Sequence, residues 1–445
     1  MAENDTSTAS EGVKLDERSR YRDMVRSLKY RNFQLFFSGQ LISLIGTWMD
    51  NIAEAWLVYR LTGSSLLLGT VAFAGQIPVF LLAPVGGMVA DRWNRRSIVI
   101  ATQISSMILA FILAFLTLTK RITVAEVITL AALMGIVNAF DIPARQAFLV
   151  EMVGREDLMN AIALNSSMFN GARIIGPSIA GILVASIGEG WCFFANAVSY
   201  IAVIAGLLMM RMERTARPAQ FASPFEHIVE GFRFVRDTAP ILAILLLLGL
   251  VSVTAMPYSV LMPIFAAKVL HGNARTLGVL MGATGIGALT GALVLATRTN
   301  VQGLGRWISN SCVAFGFALI LFSFSRWFAL SVLLLVPVGC AMMMQMASSN
   351  TLIQAMVPDR LRGRTMAVYS MMFMGMAPLG ALLSGALAER IGAPWTVAIG
   401  GVGAMIGGAV FGRAWPRLRV DARRLLVAQG VAVSETSPEA AAPVS

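Results

Sequence analysis

Charge is scarce in this chain. Of its 445 residues 13% are Asp, Glu, Lys or Arg, while 57% are apolar and the mean hydropathy is +0.72. A soluble domain carries about a quarter charged residues. The composition therefore excludes a water-soluble enzyme and a disordered protein, and points to a chain that crosses a membrane many times. Lysine is rarer still: Lys14, Lys29, Lys120 and Lys268 are the whole set, and no G-x-x-x-x-G-K-S/T loop exists to cradle a nucleotide. Direct power from ATP is excluded. H-E-x-x-H and nucleophile-elbow patterns are missing, and neither His227 nor His271 lies in a span, so no metal site, cofactor or enzymatic centre is expected. Cys192, Cys312 and Cys340 are an odd set, each inside an apolar run, and a disulfide framework is not expected.

What the chain does have is apolar length. No apolar segment follows Met1 within the first 32 residues, so no signal peptide is expected and the N-terminus should stay in the cytoplasm. Beyond it, stretches of about 20 apolar residues or more recur. Twelve are read, at 33–59, 66–90, 97–118, 124–143, 158–186, 191–210, 239–268, 275–297, 305–325, 327–355, 362–388 and 394–412. Alternation at strand period is absent, which predicts an all-α membrane protein of twelve transmembrane helices. The basic residues test that count. With both ends cytoplasmic, 27 of the 35 Lys and Arg fall on inside segments, seven fall outside, and Arg173 alone lies within a span. This is the positive-inside bias, and one miscounted span would destroy it. The net charge of +11 is thus a topology code, and no nucleic-acid partner is expected.

The two halves resemble each other. Leu183 to Gly188 and Leu387 to Gly392 each close a glycine-rich span and precede Trp191 or Trp395. The preceding loops, Val153-Gly-Arg155 and Val357-Pro-Asp359-Arg360, also correspond. A parallel repeat of six spans predicts two pseudo-symmetric six-helix bundles, 33–210 and 239–412, with tails at 1–32 and 413–445. Between them, 211–238 forms the longest internal loop. Its segment from Ser223 to Arg236 has apolar residues at helical spacing, which fits an interfacial amphipathic helix or a plain linker.

The loop between spans 2 and 3 reads Gly87-Met-Val-Ala-Asp91-Arg92-Trp93-Asn94-Arg95-Arg96. It resembles the G-x-x-x-D-R-x-x-R-R/K signature of the major facilitator superfamily. The resemblance implies that Asp91 latches the two bundles near the N-terminus of span 11, where a helix end favours an anion. Arg145, in Asp141-Ile-Pro-Ala-Arg145, is a candidate cation for the same latch, while Arg92, Arg95 and Arg96 also suffice to set topology. The second half lacks a good copy of this loop. In span 5, Gly171, Gly176, Pro177 and Gly181 resemble the glycine-proline motif of the exporter branches, with fewer glycines than usual. The run from Phe140 to Gly181, with Ala55 to Ser64, is similar to the bacterial group that includes enterobactin exporters and transmembrane secretion effectors.

Ionisable groups inside a bilayer are costly and serve as functional candidates by default. Asp50 and Glu54 lie in span 1 one turn apart on one face, where two carboxylates repel in a low dielectric. They are the candidate proton carriers. Arg173 either pairs with Asp50 or holds an anionic substrate. Asn51 in span 1 and Gln345, Asn350 and Gln354 in span 10 are further candidates for a substrate cavity. Ten of the 26 methionines fall in spans 10 and 11, as either helix packing or an adaptable apolar wall.

The family resemblance implies alternating access around a midplane cavity. The expected function is proton-coupled export of a small amphipathic molecule, such as a siderophore or a drug, from a bacterial inner membrane. A transporter of a lysolipid or nutrient, without obligatory protons, is the alternative. The lipid bilayer, a small-molecule substrate and protons are the expected partners, and the protein is expected to be a monomer.

Overall fold

The computed structural model describes residues 26–154, 156–211, 224–298, 301 and 303–429. Most of the N-terminal tail, Arg155, the first part of the central loop and residues 430–445 lie outside the described residues, and so do the expectations that fall on them. Twelve helical spans follow one another: span 1 Arg31–Thr62, span 2 Ser65–Arg92, span 3 Arg95–Leu118, span 4 Val124–Val153, span 5 Leu158–Ile187 and span 6 Glu189–Met209, then span 7 Ala239–Val269, span 8 Ala274–Ala296, span 9 Leu304–Phe324, span 10 Phe328–Met356, span 11 Asp359–Ile391 and span 12 Ala393–Ala428. No strand occurs among the described residues. Eleven are long and apolar enough to cross a membrane. The other, span 1, has 32 residues, but Asp50, Asn51 and Glu54 interrupt its middle. An even number of spans puts the start of span 1 and the end of span 12 on one side, the terminal side, opposite a far side.

Several spans depart from their expected form. Span 4 runs through Pro143 to Val153, and span 12 continues through Pro416 to Ala428 as one helix. Span 7 is composite. Its first helix ends at Thr254, a 3-10 turn occupies Met256–Ser259, and a π turn covers Phe265–Val269. Pro257 and Pro263 each remove a backbone donor there. Span 11 breaks at Gly375 into Asp359–Met374 and Met376–Ile391. Pro378 has no N–H to offer the Met374 carbonyl, so the ladder cannot bridge the break.

Packing repeats with the sequence. Spans 1–6, 1–5, 2–4, 3–4 and 3–6 are in contact in the first half, and spans 7–12, 7–11, 8–10, 9–10 and 9–12 in the second. Adding six to each number turns one set into the other. The halves meet along two seams, span 5 on span 8 and span 2 on span 11, which the same operation exchanges. Gly188 and Gly392 show the repeat in the backbone. Both turn the chain at the far side with φ of 91° and 87°, a region that favours glycine.

Close approach at the seams depends on absent side chains. A Cβ on Gly278 would lie 2.6 Å from the Pro177 carbonyl oxygen, and one on Gly385 would lie 2.7 Å from that of Ser65. Gly181 faces Gly278, and Gly69 faces Gly385, in mirrored positions near the far side. Small residues of this kind let membrane helices pack backbone to backbone.

The central loop contributes a helix, Pro224–Asp237. Glu230 on it accepts from Arg360 at 3.0 Å and from Arg364, both in the first turns of span 11. Gly231 packs on the Arg364 backbone. At the loop's other end, Arg211 is held by the Asn32 side chain through two hydrogen bonds of 2.9 and 3.3 Å.

Candidate functional site

Span 1 packs on span 6 through Gly46, where a Cβ would lie 2.7 Å from both Asn196 Oδ1 and Ser199 Oγ. Asp50 and Glu54 are the next two residues on that stripe, spaced i, i+4. Asp50 therefore turns into the first half, facing Asn196, with Tyr200 and Cys192 of the same span nearby. Its Oδ1 is buried and has no hydrogen-bond partner among the described residues. Glu54 has only Asp50 as a charged neighbour. Neither acid makes an ion pair among the described residues. Asn51, one residue on, is exposed, whereas the two acids are partly buried.

Arg173 does not meet Asp50. It donates to Asn170 Oδ1 at 3.0 Å on its own span, and its Nε is buried without a partner. It faces Tyr258 of span 7, whose hydroxyl adjoins Thr284 of span 8. Gly285 packs on Ile174 and the Arg173 carbonyl, so this arginine stands at the seam between the halves. Gly176 seats on Trp48 of span 1 and Gly181 on span 8, while nothing lies within 4 Å of Gly171. Three of the four motif residues in span 5, Gly176, Pro177 and Gly181, are thus contact points.

In span 10, Gln345 is 1% exposed, yet neither end of its amide has a partner. The hydroxyls of Ser348, of Ser252 in span 7 and of Thr365 in span 11 are buried and unpartnered in the same way. Buried polar atoms are normally satisfied, so these mark spans 7, 10 and 11 as walls short of polar partners. Gln354 donates to Asn350, and Tyr369 of span 11 adjoins Asn350. Met342 and Met356 are buried in the packing of the second half.

At the loop between spans 2 and 3, each arginine has its own place. Arg95 is 14% exposed and reaches the carbonyls of Ala90 and Ala147, both at 3.1 Å, and Glu151 at 3.2 Å. Arg96 donates to the carbonyls of Leu207 and Leu208 and so closes the end of span 6. Arg92 is exposed, and Gly87 has nothing within 4 Å. Asp91 has a side chain 78% exposed and touches only Arg95, at 3.5 Å. Arg145 does not join it. Arg145 pairs with Asp141 at 3.3 Å, and Asp141 also accepts from Thr102 at 2.8 Å and Gln103 at 3.0 Å. In this conformation the latch residues are apart.

Polar contacts fasten the two halves together at the far side. Glu389 of span 11 accepts from Ser64 Oγ and from the backbone of Ser65 and Leu66, at 2.7 to 3.2 Å, at the start of span 2. Lys268 donates to the Gly63 carbonyl at 3.2 Å and lies over the Tyr59 ring. Every hydrogen bond between the two halves among the described residues belongs to this far-side set. Sequence reasoning missed Glu389, Asn196 and Tyr258 as members of the site. The signal for Glu389 was its position at a span end, opposite a Ser-Ser that starts a helix.

A family model described as transmembrane secretion effector matches residues 25–425. The chain belongs to this family of the major facilitator superfamily. The staphyloferrin A transporter of Staphylococcus aureus is 28% identical over 370 residues, covering 82% of this chain and 92% of the relative. The multidrug efflux pump Tap of Mycolicibacterium fortuitum is 28% identical over 357 residues, covering 78% and 87%. Among solved structures, the nucleoside transporter NupG superposes with a TM-score of 0.68 at 14% identity, covering 86% of this chain and 98% of its own, a likeness of fold. The protein is accordingly a multi-pass membrane transporter of small molecules.

Proposed function

We propose that this transporter is a proton-coupled exporter of a small amphipathic molecule, of the siderophore or drug class, working by alternating access with both termini in the cytoplasm. The observation that carries the coupling is the buried Oδ1 of Asp50 without a partner, one turn from Glu54, with no cation paired to either. A lone carboxylate in a bilayer is costly while charged, and exchange of a proton is the way it changes charge without a counter-ion. The cargo class rests on relatives that are named for a siderophore and for drugs. Arg173 and Gln345 are the polar contacts offered to such a cargo. The far-side fastening, with Asp91 and Arg145 on the terminal side each paired within the first half, supports an inward-open state, ready to load from the cytoplasm.

Everted membrane vesicles carrying the protein test this, with a catecholate siderophore, a carboxylate siderophore and ethidium as probes. At least one probe should accumulate when the vesicle interior is acid, and an uncoupler should stop it. The Asp50→Asn, Glu54→Gln double variant should lose gradient-driven accumulation and keep exchange of internal for external probe. Accumulation at the wild-type level in that variant would remove both acids from the coupling role. Exchange without any dependence on the gradient would favour an uncoupled facilitator.

A further inference from the structure

The central-loop helix and the two spans beside it leave a groove between them. Its volume is about 490 Å³, in the range of small-molecule sites. Val229 and Phe232 of the loop helix, Leu242 and Leu246 of span 7, and Val368 and Met372 of span 11 line it. Val229, Phe232 and Leu246 are exposed, so the described residues leave this apolar surface uncovered. Leu242 and Leu246 lie roughly 5–10 Å along span 7 from its start, and Val368 and Met372 roughly 14–20 Å along span 11, at 1.5 Å per residue. The groove thus opens at the depth of the lipid headgroups and its floor descends into the hydrocarbon.

Its mouth is basic. Arg233 and Arg236 belong to the lining. Arg233 has no hydrogen bond or ion pair among the described residues, and Arg236 reaches only the exposed Asp237 beside it, at 3.3 Å. Glu230, the acid on the inner side among the described residues, is already taken by Arg360 and Arg364. Among the described residues, Arg233, Arg236, Arg360 and Arg364 thus face Glu230 and Asp237. A guanidinium matches a phosphate with paired hydrogen bonds, and basic clefts between spans at the membrane surface suit anionic headgroups.

We propose that this groove binds one anionic diacyl phospholipid from the surrounding leaflet, its phosphate at Arg233 and Arg236 and an acyl chain along Leu242, Leu246, Val368 and Met372. The lipid joins the loop helix to spans 7 and 11, and span 11 carries one of the two seams between the halves. Its occupancy therefore bears on the movement of the second half, whatever the cargo.

The full-length protein is released from nanodiscs of equal phosphatidylglycerol and phosphatidylcholine and weighed by native mass spectrometry. One phosphatidylglycerol should remain bound in preference to phosphatidylcholine. Arg233→Gln with Arg236→Gln should weaken its retention by roughly tenfold or more, from the loss of two surface cations. Leu246→Trp, at an exposed position, fills the floor without changing charge and should reduce retention too, and it decides the matter if the arginine variant does not fold. Arg298→Gln with Arg306→Gln, at the junction of spans 8 and 9 on the same side, should leave retention unchanged. Equal retention of phosphatidylcholine, an equal loss in the control, or full retention in Leu246→Trp would each overturn the proposal.

Discussion

Three side chains hold the carboxylate of Asp157 at once. It stands at the start of span 5, where Lys29 approaches to 2.7 Å, Tyr30 donates at 2.8 Å and Arg26 pairs with it, while Ser27 bonds its backbone carbonyl at 3.0 Å. The hydrogen bond from Lys29, then Tyr30 and Arg26, hold this carboxyl down at about 2, and the same contact raises Lys29 above its usual 10.5. A lowered carboxyl contributes its stabilisation above the unfolded value of 3.8 and loses it as pH falls toward about 2. Docking of the segment Arg26–Lys29 should therefore be insensitive to pH near neutrality and be released in that acid window. Protease susceptibility ahead of span 1, followed against pH, measures this, and Asp157→Asn should give the released pattern at neutral pH. Single residues differ in how far sequence reveals them. Asp50, Glu54 and Arg173 stand out against apolar surroundings and could be chosen without a structure. Asn196, Tyr258 and Glu389 could not, because their meaning comes from a neighbour on another span.

At the scale of elements, the spans were legible because about 20 apolar residues are a physical requirement of the bilayer. Their ends and breaks were not. Pro143 looked like a stop and is accommodated within span 4, whereas Gly375 interrupts a run that reads as continuous. Prolines are tolerated in membrane helices when neighbours supply the freed backbone groups, so a proline alone does not mark a boundary. The expected junction of Asp91 with Arg145 is not formed: Asp91 pairs with Arg95 across the loop, and Arg145 with Asp141 on its own span. The glycine seams give a sharper test. A Cβ on Gly278 or Gly385 meets a carbonyl oxygen that belongs to the opposing backbone and cannot swing away. Gly278→Ala and Gly385→Ala should each cost about 1–3 kcal/mol of the far-side contact. That shifts the balance toward far-side opening by roughly tenfold, read as faster labelling of a cysteine placed at Ser64. Gly87→Ala, with nothing within 4 Å, should leave that labelling unchanged.

For the molecule as a whole, the repeat at Gly188 and Gly392 announced two related halves, and the contacts between spans obey the same rule. The sequence could not say which state the halves adopt, since several arrangements share the same spans and seams. If transport requires the far side to open, fixing it should stop the cycle. Ser64 Oγ and Glu389 Oε2 are 3.1 Å apart. A disulfide formed between Ser64→Cys and Glu389→Cys should arrest accumulation in vesicles, and reduction should restore it. Continued transport after complete oxidation would show that this joint does not move. The central loop has one further consequence. Asn32 clasps Arg211 to the first half, and Arg364 and Arg360 clasp Glu230 to the second. All change in separation between the halves must then be taken up by the chain between those two clasps. Each half thus keeps its own end of the loop through polar contacts on the terminal side, and loosening either clasp frees the loop from that half alone.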